Sequence, residues 1–275
     1  MSIVLVALLA ATLAYSLRES LLFWVRAAGL VVTNYQGKSV PIYGLGYVLA
    51  LVPSWILANL LWPLEDLLSL SLAILLATLI GFIDDAAGAG DSKGLKGHLL
   101  MAINERRITT GLLKVAYVFI AALLLVQSSW PWLILEVLVL TLFSNLINGF
   151  DLRPGRANKV FLMLTVPLFV YAYPGLVSLV LLSAIAVVLV YLPLDLGEAA
   201  IMGDAGAYVL GLLLGYAVIR SFSTSEVFLV LLVLIYLHWF MEVGSISEVI
   251  EKNSVLKRMD EWGRLKEDNH NENRL

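Results

Sequence analysis

"LLSLSLAILLATLIGFIDD", residues 67–85, carries no charge from Leu67 to Ile83 and then ends on two adjacent aspartates. A helix needs about 20 mostly apolar residues, within a range of roughly 17–25, to cross the hydrocarbon of a bilayer. This run is long enough, and it is one of many. Of the 275 residues, 60% are hydrophobic and 14% charged. Soluble domains average about 45–50% apolar and about 25% charged residues. Composition therefore predicts an all-α, polytopic transmembrane helical bundle. A carboxylate at mid-bilayer costs about 2.5–3.5 kcal/mol, so the stretch raises the question of what Asp84 and Asp85 do at the end of a span.

Nine stretches are apolar enough to span, near 2–23, 43–62, 66–83, 110–128, 132–148, 158–173, 175–193, 206–222 and 226–243. Pro53 and Pro167 fall inside spans, which neighbouring helices tolerate. The first run lacks a basic region before it and a small-residue cleavage site after it, so it reads as a retained helix. It runs on into the interface, with Trp24 near headgroup level. The connections "WPLED", "SSWP", "YPG" and "SFSTSE" are short and almost free of basic residues. The other connections hold Arg26, Lys38, Lys93, Lys96, Arg106, Arg107, Arg153, Arg156 and Lys159, and the tail adds Lys252, Lys257 and Arg258. The positive-inside rule puts that set in the cytoplasm. The N-terminus is then expected outside and the C-terminus inside, in the plasma membrane, with Arg220 as the main exception. Residues 1–243 read as one membrane domain. Residues 244–275 read as a cytoplasmic tail whose Ile246, Val249, Ile250, Leu256 and Met259 suit an interfacial amphipathic helix. Its last residues, "KEDNHNENRL", read as disordered.

The polar residues gather at span ends on the expected cytoplasmic side. Asp84 and Asp85 end span three. Asn145, Asn148 and Asp151 close span five in "NLINGFDLRPGR", three residues apart and so on one helical face. Asp204 stands before span eight in "MGDAGAYVLG", Lys114 opens span four, Lys96 lies in the loop after Asp85, and Asn34 begins "NYQGKSVP". The chain has no cysteine and three scattered histidines, which excludes thiolate chemistry and argues against a histidine-built metal site. Acidic and amide oxygens suit a hard cation, and the neighbouring basic residues and glycines suit phosphates. A magnesium–phosphate site at the membrane boundary is the synthesis.

"GFIDD…KGL", "NLINGFD" and "MGDAGAYVLG" resemble, in order and spacing, the polyprenyl-phosphate N-acetylhexosamine-1-phosphate transferase family. The resemblance runs from "NYQGKSVPIYGLGY" to the end of the ninth span. It implies transfer of a sugar-1-phosphate from a UDP-sugar to a polyprenyl phosphate, with magnesium (or manganese in its place) and release of UMP, as the first membrane step of cell-envelope glycan synthesis. By resemblance, Asp84 and Asp85 are the catalytic pair and Asn145 and Asp204 hold metal. Asn148, Asp151, Lys114, Lys96, Arg153, Arg156 and Asn34 are the implied substrate contacts. The partners are then the UDP-sugar, polyprenyl phosphate and membrane lipid, with no nucleic acid and with a homodimer as an open oligomeric option. Relatives read "NLxDGxDGLA" where this chain has "NLINGFDLRPGRA". The tail also lacks the triple histidine of the peptidoglycan translocase, and a tenth span is missing. A simpler sugar phosphate is therefore favoured, N-acetylglucosamine first. The competing readings are a non-catalytic relative that binds lipid phosphate and a transporter. Crowding of the polar groups at one face argues against transport, which places its groups near the midplane.

Overall fold

The computed structural model describes residues 2–34, 36–87, 117, 120–121, 123–126 and 128–264. Lys96, Lys114, most of the expected fourth span and the end of the tail lie outside the described residues. The chain runs α1 (Ile3–Ala27), β1 (Val31–Thr33), β2 (Ser39–Pro41), α2 (Leu45–Leu61), α3 (Leu67–Ala87), α4 (Trp132–Phe150), α5 (Arg156–Tyr171), α6 (Leu176–Leu196), α7 (Gly203–Ser221), α8 (Thr224–Val243), α9 (Ile246–Lys252) and α10 (Ser254–Glu261). Among the described residues, α1, α3, α4, α6 and α8 are long and apolar enough to cross a membrane, and α2 is a shorter apolar helix. This is a multi-pass helical architecture.

Side-chain chemistry accounts for several helix boundaries. Ser2 caps α1 through the Leu5 N–H. Ser223 and Glu226 form a capping box at the start of α8, which satisfies N–H groups that the first turn leaves open. Asn253 accepts from the Val255 and Leu256 N–H groups and so starts α10 directly after α9. The hairpin β1–β2, antiparallel with Val32 opposite Val40, is an addition to the all-helical expectation. Its turn is built by Asn34, whose Oδ1 accepts from the N–H groups of Gln36 at 3.0 Å and Lys38 at 2.8 Å.

α7 is the axis of the bundle, and its residues from Ala205 to Val218 are all buried. It lies between α3 and α4 and runs antiparallel to both. Gly211 rests on the backbone of Ser144 and Gly215 on Leu140. On the other side Gly81 rests on Ala205, and Arg220, one residue from the C-terminal end of α7, pairs with Asp66, just before α3. That pair answers the basic residue that stood out against the charge rule. α1 packs on α6 and α2, and α8 packs on α4. Outward faces stay apolar, as at Phe228, Leu229, Val233 and Tyr236 of α8. Such a surface suits lipid and is unsuited to water. Antiparallel packing therefore brings the ends of α3 and α4 and the start of α7 to one end of the bundle.

Candidate active site

The segment entering α7 is held from outside by an isolated parallel bridge between Ile42 and Ile201. Ile201 N–H donates to Pro41 O at 3.0 Å, Tyr43 N–H to Ile201 O at 2.8 Å, and Gly44 N–H to Met202 O at 3.0 Å. The chain then turns at Gly203 with φ +74°. A Cβ there would sit 2.5 Å from Ile42 Cγ2 and 2.8 Å from an Asp85 carboxylate oxygen. Only glycine combines that backbone conformation with that space.

The first N–H groups of α7 are met by carboxylates from the two flanking helices. Asp85 accepts from Asp204 N–H at 2.9 Å and from Ala205 N–H at 3.1 Å. Asp151, which caps the end of α4, accepts from Gly203 N–H at 3.1 Å. Anionic acceptors at a helix N-terminus satisfy open donors and complement the helix dipole. Asp84 differs from its neighbour. Its carboxylate lies 3.4 Å from the Tyr208 hydroxyl, and the Asp204 carboxylate lies 3.3 Å from the same hydroxyl. A phenol has one proton to donate, so Tyr208 serves one acid at a time and keeps the two side by side.

Negative charge accumulates here. Burial pushes the Asp151 carboxyl above its ordinary range, and Asp195, Asp204 and Asp85 push it the same way, against the Gly203 N–H. Among the described residues no three acidic, histidine or cysteine side chains close into a ready-made metal cage. Magnesium does not require one, because it is usually held by one or two carboxylates together with substrate phosphates and waters. The Asp84–Asp204 pair, all hard oxygen, fits that pattern.

Of the other residues singled out in the sequence, Asn145 is exposed on α4 and Asn148 is half-buried one turn further on. Asn34 is buried and occupied: besides its two turn bonds, its Nδ2 donates to Glu198 O at 3.1 Å. Arg156 is also occupied. Its guanidinium makes a two-pronged pair with Asp260 at 2.8 and 2.9 Å and donates to Ser247 Oγ at 3.0 Å. Arg153 lies 3.8 Å from Glu251. Both arginines thus have partners in the tail.

Sequence reasoning missed a buried polar cluster behind the site. Asp195 accepts from Asn158 Nδ2 at 2.7 Å and from the Tyr43 hydroxyl at 3.2 Å. Tyr47 donates to Asn158 Oδ1 at 2.7 Å. Asp195 is 2% exposed, and a buried carboxylate persists only when its oxygens are hydrogen-bonded. The available signal was the acid closing "VLVYLPLDL", the one charge in a long apolar run. Tyr43 ties this cluster to Ile201 through its own N–H, so it supports the turn that launches α7.

Residues 67–222 match glycosyl transferase family 4. The chain belongs to that family. Family members are transferases that pass a phosphosugar to polyprenyl phosphate, and the apolar helices fit a multi-pass membrane protein. No curated protein matches the chain. The family match spans α3 through α7 and contains Asp84, Asp85, Asn145, Asn148, Asp151, Asp195 and Asp204. Asn34 and the tail that takes up Arg156 fall outside it.

Proposed function

We propose that the protein transfers a sugar-1-phosphate from a UDP-sugar to a polyprenyl phosphate, releasing UMP, with N-acetylglucosamine the favoured sugar. The observation that supports this most is the meeting of Asp84, Asp85, Asp151 and Asp204, from three different helices, at one end of an apolar bundle. A lipid phosphate and a soluble nucleotide can both reach that depth. We place this end on the cytoplasmic face of the plasma membrane, in a nine-span topology with the N-terminus outside.

In this reading Asp84 and Asp204, with Asn145 of α4, would hold magnesium, and a magnesium ion held there would supply charge neutralisation for the diphosphate and the leaving UMP. Asp85 and Asp151 bind no substrate phosphate directly; they fix the start of α7 and so aim Asp204. Asn148 and Asp151 are the residues assigned to the nucleoside. The lipid phosphate is largely ionised at neutral pH and attacks without a strong general base, so orientation and charge carry most of the rate.

The test is release of UMP from UDP-N-acetylglucosamine by purified protein with polyprenyl phosphate and magnesium. Release that needs both the lipid and the metal supports the proposal. Lipid binding without UMP release from any UDP-sugar would leave the non-catalytic reading. Solute uptake into vesicles without UMP release would make the protein a transporter.

A further inference from the structure

The tail is attached to the bundle in an inverted way. Within α10 the residue turned inward is a charged one, Asp260, whose side chain is 9% exposed. Val255, Leu256 and Met259 of α10 and Trp262 just after it are all exposed, Trp262 at 73%. A soluble amphipathic helix does the opposite and buries its apolar stripe. The inward side is fastened by polar bonds. Arg156, 4% exposed, grips Asp260 with two bonds. Arg264 reaches Asp260 at 2.8 Å and donates to Pro154 O at 3.0 Å. Lys159 donates to Met259 O at 3.2 Å and to Asp260 O at 2.6 Å.

These bonds fix the rotation of α10, and its apolar face is left pointing away from the protein. α10 follows α8, a helix long and apolar enough to cross a membrane, after only the Gly244 turn and the short α9, and Tyr236, Trp239 and Val243 at the end of α8 are exposed as well. An apolar face this close in the chain to such a helix is within reach of the bilayer surface. Lys252 and Lys257 lie off the apolar face and pair with Glu248 and Glu261 within the tail. The acidic Glu248, Glu251, Asp260 and Glu261 balance the basic Lys252, Lys257, Arg258 and Arg264. The apolar face, not a net charge, is then what would hold the tail to lipid.

The fastening points lie next to the candidate active site. Pro154 and Arg156 bound the turn that follows Asp151, and Asp151 holds the N–H of Gly203 at the start of α7. We propose that α9 and α10 form a membrane-surface latch. The apolar face of α10 beds in the headgroup layer, and its Asp260 holds Arg156 so that the 152–156 turn presents Asp151 correctly. Asp260 and Arg156 are positioning residues. The occupant of the apolar face is the bilayer interface.

The chain has no cysteine, so single cysteines can be placed at will. Spin labels on Val255→Cys and Trp262→Cys, in full-length protein in lipid nanodiscs, are expected to be reached by oxygen and shielded from a water-soluble nickel chelate. The label on Lys252→Cys is expected to show the reverse. Nickel access at all three sites, or labels shielded from both reagents as in a contact between two copies, would overturn the membrane assignment. The second arm rests on the proposed transferase reading. Asp260→Asn is expected to raise the KM for the UDP-sugar by about tenfold or more, as misplacement at a distance does, with kcat within about twofold and recovery in Asp260→Glu. An unchanged KM in an active Asp260→Asn protein would overturn the positioning role. If no UDP-sugar is turned over by the parent protein, the transferase reading fails, while the label accessibilities still decide the latch.

Discussion

Asp84 and Asp85 are adjacent, yet the structure separates their work, and paired substitutions would expose the difference. Asp85→Ala deletes both bonds from its carboxylate to the N–H groups of Asp204 and Ala205. A hydrogen bond to a charged group contributes about 1.5–3 kcal/mol, and a lost helix cap costs about 0.5–2 kcal/mol. Asp85 is half-buried, so water recovers part of the loss, and about 2–4 kcal/mol remains. For a chain of this size each kcal/mol moves the melting temperature by about 2–4 °C, so the expected drop is about 5–15 °C. Asp84→Ala removes a 3.4 Å acceptor of the Tyr208 hydroxyl and leaves intact the two bonds that Asp85 makes to the start of α7, so a smaller drop than that of Asp85→Ala is expected. Both variants should lose UMP release. The melts are read by tryptophan fluorescence in one detergent, at one pH and with added magnesium absent. Equal drops for the two variants, or a larger one for Asp84→Ala, would refute the division into a capping acid and a metal-facing acid.

Tyr208→Phe keeps the ring and removes the hydroxyl shared by Asp84 and Asp204; the magnesium concentration for half-maximal turnover should rise by about tenfold or more. Asp66→Asn strips Arg220 of its partner at the far end of α7; both groups are partly exposed, so the expected loss is about 1–2 kcal/mol, and Arg220→Met in the same background should recover most of it in a double-mutant cycle. Burial raises the Asp260 carboxyl, but the bonds and charge of Arg156, with those of Arg264, outweigh it and hold the group below its ordinary value. A depressed folded value means that the latch is fully stabilised above the ordinary carboxylate range and is lost only as pH falls through the lower folded value. A spin label at Trp262→Cys should therefore stay restrained at pH 5 and loosen only below about pH 4; release between pH 5 and 7 would contradict the pairing.

How far the sequence reached differs from element to element, for physical reasons. Apolar runs such as 67–83 announce helices because a helix satisfies its backbone groups within one segment, as lipid demands, while a barrel strand is shorter and alternates. The acids at the ends of α3 and α4 and the start of α7 could be grouped because a helix transports its end to a face of the bundle in a countable way. What those acids touch was not readable. Asp85 and Asp84 differ by one position, and a rotation of one residue along a helix decides whether a carboxylate meets backbone N–H groups or a phenol. Pairings across long chain separations stayed hidden for the same reason. Arg156 and Asp260 are 104 residues apart, and Asn158 meets Tyr43 across 115. In the sequence, Arg156 looked like a spare cation near a phosphate site. Asn34 looked like a polar loop residue, and its amide is spent on a two-stranded turn that four residues of "NYQGKSVP" conceal.

The attachment of α7 to α3 has one more effect. Its 19 residues span about 28 Å, and the two helices are joined near both extremities: by Asp85 at one end and by the Arg220–Asp66 pair at the other. A beam bolted at two points can neither swing nor roll against its support. Between the bolts, Gly81 lets the two backbones touch. Among the described residues, a closing motion around a bound substrate would then come from parts outside this truss, such as the tail. The acids on α3 and α7 would keep a constant separation throughout a catalytic cycle, which is what a metal ion with strict distance demands requires of its anchors.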